Sequence, residues 1–208
     1  MVQGYTFDFD TVLLLGIPIW IISRVITLVI KKRKGKNILI GKEIMTNLFA
    51  LYIIGLVGVT LFPIEIMFGE GIAELKSTVS LYQRLGINLI PFKDYINGFI
   101  SLQENNIGYF FYLRSLLGNL LLLMPFIGYL SMYKKEIRSI KNVIIISLLT
   151  SLSIEVLQLI ENITYLSGFA GRTVNIDDLI LNTIGGVLGY YIFKIIYKTK
   201  LRIYLNMD

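Results

Sequence analysis

The stretch from Ser151 to Tyr191, SLSIEVLQLIENITYLSGFAGRTVNIDDLILNTIGGVLGYY, decides the fold. It consists of two apolar segments joined by a short polar link, and it carries Glu155, Gln158, Arg172, Asp177, Asp178 and Asn182. An ionisable group inside a hydrocarbon-length segment costs roughly 2.5–3.5 kcal/mol on insertion, so each is a functional candidate by default. Ser151, Glu155 and Gln158 recur at i, i+4 and i+7, one face of a helix. Asp178, Asn182, Gly185 and Gly189 do the same on the next segment, where the glycines leave room for close approach of a neighbouring backbone or a lipid.

Composition outside that stretch agrees. Of 208 residues, 55% are apolar and only 16% charged, and the mean hydropathy is +0.69. These values predict an all-α, polytopic integral membrane protein. The chain has no cysteine and no histidine, which excludes disulfides, thiol chemistry, Ser-His-Asp nucleophiles and His-ligated zinc. Any chemistry must come from carboxylates, Arg, Lys, Ser, Thr or Tyr. The net charge of +6 is read as cationic loops fixing topology, not as a nucleic-acid footprint.

Residues 1–10 hold Asp8 and Asp10 and no Lys or Arg, and the apolar run Val12–Ile30 follows at once, so a retained first span is expected in place of a cleaved signal peptide. Arg24, near its far end, is expected to snorkel toward headgroups. A second span runs from Ile44 to Phe62 and stops at Pro63. Residues 63–108 mix acidic and aromatic side chains, too polar to span and too apolar for a free loop. They are expected to form amphipathic or re-entrant pieces at the outer interface, with a turn at Asn88–Phe92 (NLIPF). The third span runs from Tyr109 to Met132 with a kink at Pro125, the fourth from Asn142 to Ile160 and the fifth from Asp177 to Tyr197. The whole chain, 1–208, is read as one membrane domain.

Orientation follows from the basic residues. The first connection carries Lys31, Lys32, Arg33, Lys34, Lys36 and Lys42; the third carries Lys134, Lys135, Arg138 and Lys141; the C-terminus carries Lys194, Lys198, Lys200 and Arg202. The opposite side holds only Lys76, Arg84, Lys93, Arg114 and Arg172. The positive-inside rule then places the N-terminus outside and the C-terminus in the cytoplasm. On that topology Asn119, Glu155 and Asn182 each sit ~7–9 Å below the outer surface, at one level, with Arg172, Asp177 and Asp178 as its rim.

Each of these residues also has a purely structural reading. Asn175 is a good N-cap and Asp178 fits the reciprocal position of a capping box, while both aspartates suit a helix N-terminus. Asn119 and Gln158 serve equally as interhelical hydrogen-bond glue. Glu155 needs a positive partner or a raised pKa, and a buried Glu155–Arg172 pair is the structural reading of both.

The series Asn88-x-x-Pro91-Phe92, Arg114 with Asn119 and Pro125-Phe126, Ser153-x-Glu155-x-x-Gln158, Gly171-Arg172 and Asp177-Asp178-x-x-x-Asn182-x-x-Gly185 resembles the VanZ-like family of bacterial membrane proteins. The likeness covers residues 88–190, and Glu-x-x-Gln…Arg…Asp-Asp-x-x-x-Asn is its specific part. The family's usual glycine after Pro-Phe is displaced, since Ile127 precedes Gly128. The resemblance implies a plasma-membrane protein linked to lowered susceptibility to teicoplanin and related lipoglycopeptides, which act on the outer face of the cell. It supplies a phenotype and no reaction.

Three functions remain open on the sequence. In the first, an outer-leaflet groove lined by Asn88, Arg114, Asn119, Glu155, Gln158, Arg172, Asp178 and Asn182 binds or remodels a lipid or a lipid-linked cell-wall precursor, with Arg172 on phosphate. In the second, Glu155 is a general base and Asp177 and Asp178 hold a divalent cation in an enzyme acting on a lipid-linked phosphate or sugar. The third, a small transporter, is disfavoured by the lack of a visible inverted repeat. No other cofactor is expected, and the sequence fixes neither a metal nor an oligomeric state.

Overall fold

The computed structural model describes residues 3–70, 72–101, 107–168 and 171–207. Among the described residues, five stretches are long and apolar enough to cross a membrane: Phe9–Arg33, Ile40–Leu61, Tyr112–Tyr133, Ile140–Thr164 and Ile176–Tyr197. The protein is therefore an all-α, multi-pass membrane protein. Helices α1 (Phe9–Arg33) and α2 (Ile40–Leu61) begin three or four residues before the apolar runs that predicted them. Helix formation needs hydrogen-bonded backbone more than apolar side chains, and the flanking polar residues satisfy that need as well. Among the described residues, four short strands accompany the helices: β1 (Gln3–Phe7), β2 (Ile64–Phe68), β3 (Ile87–Asn88) and β4 (Val174–Asn175). They were not foreseen, because strands of two to five residues carry too little periodicity to read.

The chain divides into two compact units. The first comprises residues 1–86, 156–172 and 196–208. In it, α1 lies along α2, with Gly16 against Ile54 and Gly58 against the Phe9 ring. β1 and β2 pair antiparallel from Gln3↔Phe68 to Phe7↔Ile64. Trp20 Nε1 donates to Asn47 Oδ1 at 3.0 Å. The Arg24 guanidinium pairs with Glu43 on α2, and Lys31 Nζ reaches the same carboxylate at 2.7 Å. The shared carboxylate removes the cost of an isolated charge. Beyond Pro63 follow two short helices, α3 (Ile72–Thr78) and α4 (Leu81–Leu85), the latter opened by a capping box of Ser80 and Gln83. At the other end α10 (Leu201–Tyr204) brings the Tyr204 carbonyl so close to Gly41 that no Cβ fits there.

The second unit comprises residues 87–155 and 173–195. It contains α5 (Lys93–Ser101), α6 (Ile107–Leu122), α7 (Met124–Tyr133), the first part of α8 (Ile140–Thr164) and most of α9 (Ile176–Tyr197). The predicted Pro125 kink is a break between α6 and α7 at Leu123, because proline has no N–H for the preceding turn and fits best in the first turn of a new helix. Gly185 and Gly189 on α9 receive the backbone carbonyls of Leu120 and Met124 so closely that a Cβ at either would collide with them. Gly186 meets Ser147 in the same way. Leu123, Ile127 and Val143 are fully buried around this contact. Where α7 ends, Arg138 donates to the Ser131 and Met132 carbonyls at 2.8 and 3.0 Å, and its own carbonyl accepts from the Tyr190 hydroxyl at 2.8 Å.

Candidate functional site

The site in the second unit is built around β4, the two residues that lead into α9. β4 pairs in parallel with β3, Ile87 opposite Val174 and Asn88 opposite Asn175. The Asn175 N–H is taken by Glu155 Oε2 from α8 at 3.0 Å, and Glu155 is only 3% exposed. Asn175 Oδ1 in turn accepts the Asp177 N–H at 3.1 Å, which is the predicted cap of the α9 N-terminus. The reciprocal capping-box bond from Asp178 is replaced by another partner: Asp178 Oδ1 accepts the Asn119 amide from α6.

Asp177 faces the NLIPF turn. Its Oδ1 accepts the Phe92 N–H at 2.7 Å, and Phe92 adopts a left-handed conformation with φ of +58°. Asn88 shapes the same turn, accepting the Ile90 N–H at 3.2 Å and donating to Asp94 at 2.7 Å. The turn expected at Asn88–Phe92 is thus present, tied to α9 through a fully buried carboxylate whose Oδ2 has no hydrogen-bond partner. Nearby, burial pushes the Tyr95 hydroxyl above the ordinary tyrosine range, with Asp178 and Asp177 adding to the rise. Tyr95 therefore stays a neutral hydroxyl beside Ser115 Oγ at 3.2 Å.

One turn deeper, Asn182 Nδ2 donates to Ser151 Oγ at 2.9 Å, and Ser151 donates to the Asp178 carbonyl at 3.3 Å. Asn182 and Ser151 are buried, and Asn182 Oδ1 has no partner. The polar layer inside this unit thus joins Asn119, Asp178, Ser151, Asn182 and Glu155 with Asn175. Among the described residues, the Asp177 and Asn182 acceptor oxygens here have no hydrogen-bond partner, as is also so of the Ser131, Ser147 and Thr183 hydroxyls of the same unit. Buried polar groups without partners are uncommon and call for a donor from elsewhere.

Gln158 and Arg172 belong to the first unit and have their own partners there. Gln158 Nε2 donates to the Thr60 carbonyl at 2.8 Å, and Arg172 Nη1 donates to the same oxygen, one of the orphan carbonyls at the end of α2. Arg172 Nε lies 3.7 Å from Glu161 Oε2, so within the first unit the acidic partner of Arg172 is Glu161. The turn that carries Arg172 is fixed by Asn162, which donates to the Arg172 carbonyl at 2.6 Å and accepts from the Arg172 N–H at 2.7 Å and Ser167 Oγ at 2.8 Å. Asn162 and Glu161 escaped the sequence reading, although the stripe Ser151, Glu155, Gln158 extends by one more helical step to Asn162.

Arg114 is exposed on α6. Among the described residues no group of three or more Asp or Glu gathers as a metal cage. Asp177 and Asp178 each commit one oxygen to a different partner, Phe92 and Asn119.

No curated protein and no solved structure matches the chain. A family model does, from residue 49 within α2 to residue 197 at the end of α9, and it takes in β3, the NLIPF turn, Asn119, Glu155, Arg172, Asp177, Asp178 and Asn182. By that match, over most of its length, this membrane protein belongs to the VanZ/LLP1 family.

Proposed function

We propose that this protein lowers susceptibility to teicoplanin-type lipoglycopeptides by holding the headgroup of a membrane lipid, or of a lipid-linked cell-wall precursor, against the polar layer of its second unit. The carrying observation is the junction of Asn119 with Asp178 and of Asn182 with Ser151, in helices of hydrocarbon-spanning length, with buried acceptor oxygens on Asn182 and Asp177 left over. Acceptors without donors suit a ligand rich in donors, such as sugar hydroxyls or a primary amine. Basic-residue counting puts this layer in the outer leaflet, with the N-terminus outside and the C-terminus in the cytoplasm; lipoglycopeptides act on that side. Engagement of the precursor there would change how the antibiotic reaches it. Gln158 and Arg172 enter this reading through the ends of α2 and α8 that they hold.

The test is teicoplanin susceptibility of a sensitive bacterium expressing wild type, Asp178→Ala or Asn182→Leu at matched membrane levels. Wild type should raise the inhibitory concentration and both variants should lose most of that rise. Full resistance in both variants sinks the proposal.

The buried Glu155 carboxylate and the unpartnered Asp177 oxygen favour a second reading, an enzyme acting on a lipid-linked phosphate or sugar. In it Glu155 moves a proton and Asp177 and Asp178 hold a divalent cation. Lipid extracts from cells with wild type and Glu155→Gln would then differ in one defined species, and matching extracts exclude it.

A further inference from the structure

The outward face of α6 carries a feature that the polar layer does not use. Phe110, Leu113, Arg114, Leu117, Gly118 and Leu121 recur at i, i+3, i+4, i+7, i+8 and i+11 and line a groove of about 520 Å³. Its floor at Gly118 is open, since a Cβ built there meets nothing within 4 Å. Phe110, Leu117 and Leu121 are 73%, 43% and 52% exposed, so no described part of the second unit fills it.

Length and charge identify an occupant. Seven residues of helix separate Arg114 from Leu121, a rise of ~10 Å, which fits within the ~15 Å hydrocarbon depth of one leaflet. Arg114 is the sole charged residue of α6 and stands two residues inside the spanning segment Tyr112–Tyr133, at headgroup level. Among the described residues it has no hydrogen-bond or ion-pair partner. Lys76 and Arg84, by contrast, lie over the Tyr165 ring, and Arg172 is paired with Glu161. A guanidinium with no partner among the described residues, at the edge of hydrocarbon, is stabilised by an anion, and its fork fits a phosphate in two-pronged fashion.

We propose that this face of α6 is a seat for an anionic diacyl phospholipid, with the phosphate on Arg114 and one acyl chain lying along Leu117, Gly118 and Leu121. Bulk lipid coats any apolar helix without regard to headgroup. This seat selects net negative charge.

Native mass spectrometry of the full-length protein in detergent, titrated with dioleoylphosphatidylglycerol or dioleoylphosphatidylcholine, tests it. Wild type should retain the anionic lipid preferentially, and Arg114→Gln should lower that preference about fivefold, the contribution of one cation at an anionic lipid surface. Arg114→Lys keeps the charge and should keep the preference. Gly118→Leu fills the notch and should weaken retention of both lipids. Lys93→Gln, which removes an exposed cation at the start of α5, should change nothing. Equal retention of the two lipids by wild type, an unchanged preference in Arg114→Gln, or an equal loss in Lys93→Gln overturns the seat.

Discussion

The Glu155 carboxylate accepts the backbone N–H of Asn175 at 3.0 Å, so a side chain from α8 serves as hydrogen-bond partner to β4 on its way into α9. This bond makes Glu155 an organiser of the strand that aims Asp177 and Asp178, whatever further role its carboxylate has. Substitution separates the two. Glu155→Gln retains an acceptor oxygen and should fold with near-native thermal stability, whereas Glu155→Ala leaves a buried N–H unpaired and should cost about 1–3 kcal/mol. Thermal unfolding in detergent measures the difference, and equal stability of the two variants contradicts this role.

Close approach of α6 and α7 to α9 depends on glycine. Gly185→Ala places a methyl group against the Leu120 carbonyl, a backbone atom that cannot swing aside, and should destabilise by about 1–3 kcal/mol. Gly55→Ala on α2 meets nothing within 4 Å and should leave the melting temperature unchanged or slightly raised. A matched gain at both positions would show that helix propensity, not packing, governs them.

Asn162 holds the backbone of Arg172 on both sides. Asn162→Leu removes the donor and the acceptor together and should cost roughly 2 kcal/mol or more, while Asn162→Asp keeps only the acceptor and should fall between leucine and wild type. Limited proteolysis between Ser167 and Arg172 should rise in the same order.

Topology is directly measurable because the chain has no cysteine. Lys34→Cys, in the basic connection after α1, should react with a membrane-impermeant maleimide only after the cells are opened. Tyr82→Cys, whose native side chain is 86% exposed, should react in intact cells. The reverse pattern would invert the orientation and move the polar layer of the second unit to the cytoplasmic leaflet.

Much of this architecture was legible in the sequence because its signals are local. Five apolar runs, the stop at Pro63, the interruption at Pro125 and the turn at NLIPF follow from chain length, missing N–H groups and proline geometry, each within a few residues. The polar positions on α8 and α9 were legible for the same reason, since a charged or amide side chain in an apolar run is conspicuous by itself. Which partner each takes was not. The sequence does not show that Arg172 faces Glu161 within the first unit, nor that Arg24 pairs with Glu43 on α2.

By itself, then, the sequence determined the class of protein, the number of its spans and their place in the chain to within a few residues, and the side chains too polar for hydrocarbon to hold without reason. Those properties are sums over consecutive residues against a fixed bilayer thickness and a fixed helical period. Only the tertiary structure decided that Asn119 meets Asp178, that Glu155 holds a strand, that Asp177 clamps a left-handed Phe92, and that the Thr60 carbonyl gathers both Gln158 and Arg172. These contacts join residues 20 to 112 positions apart, often through backbone atoms that every residue shares, so no pattern of side-chain types announces them.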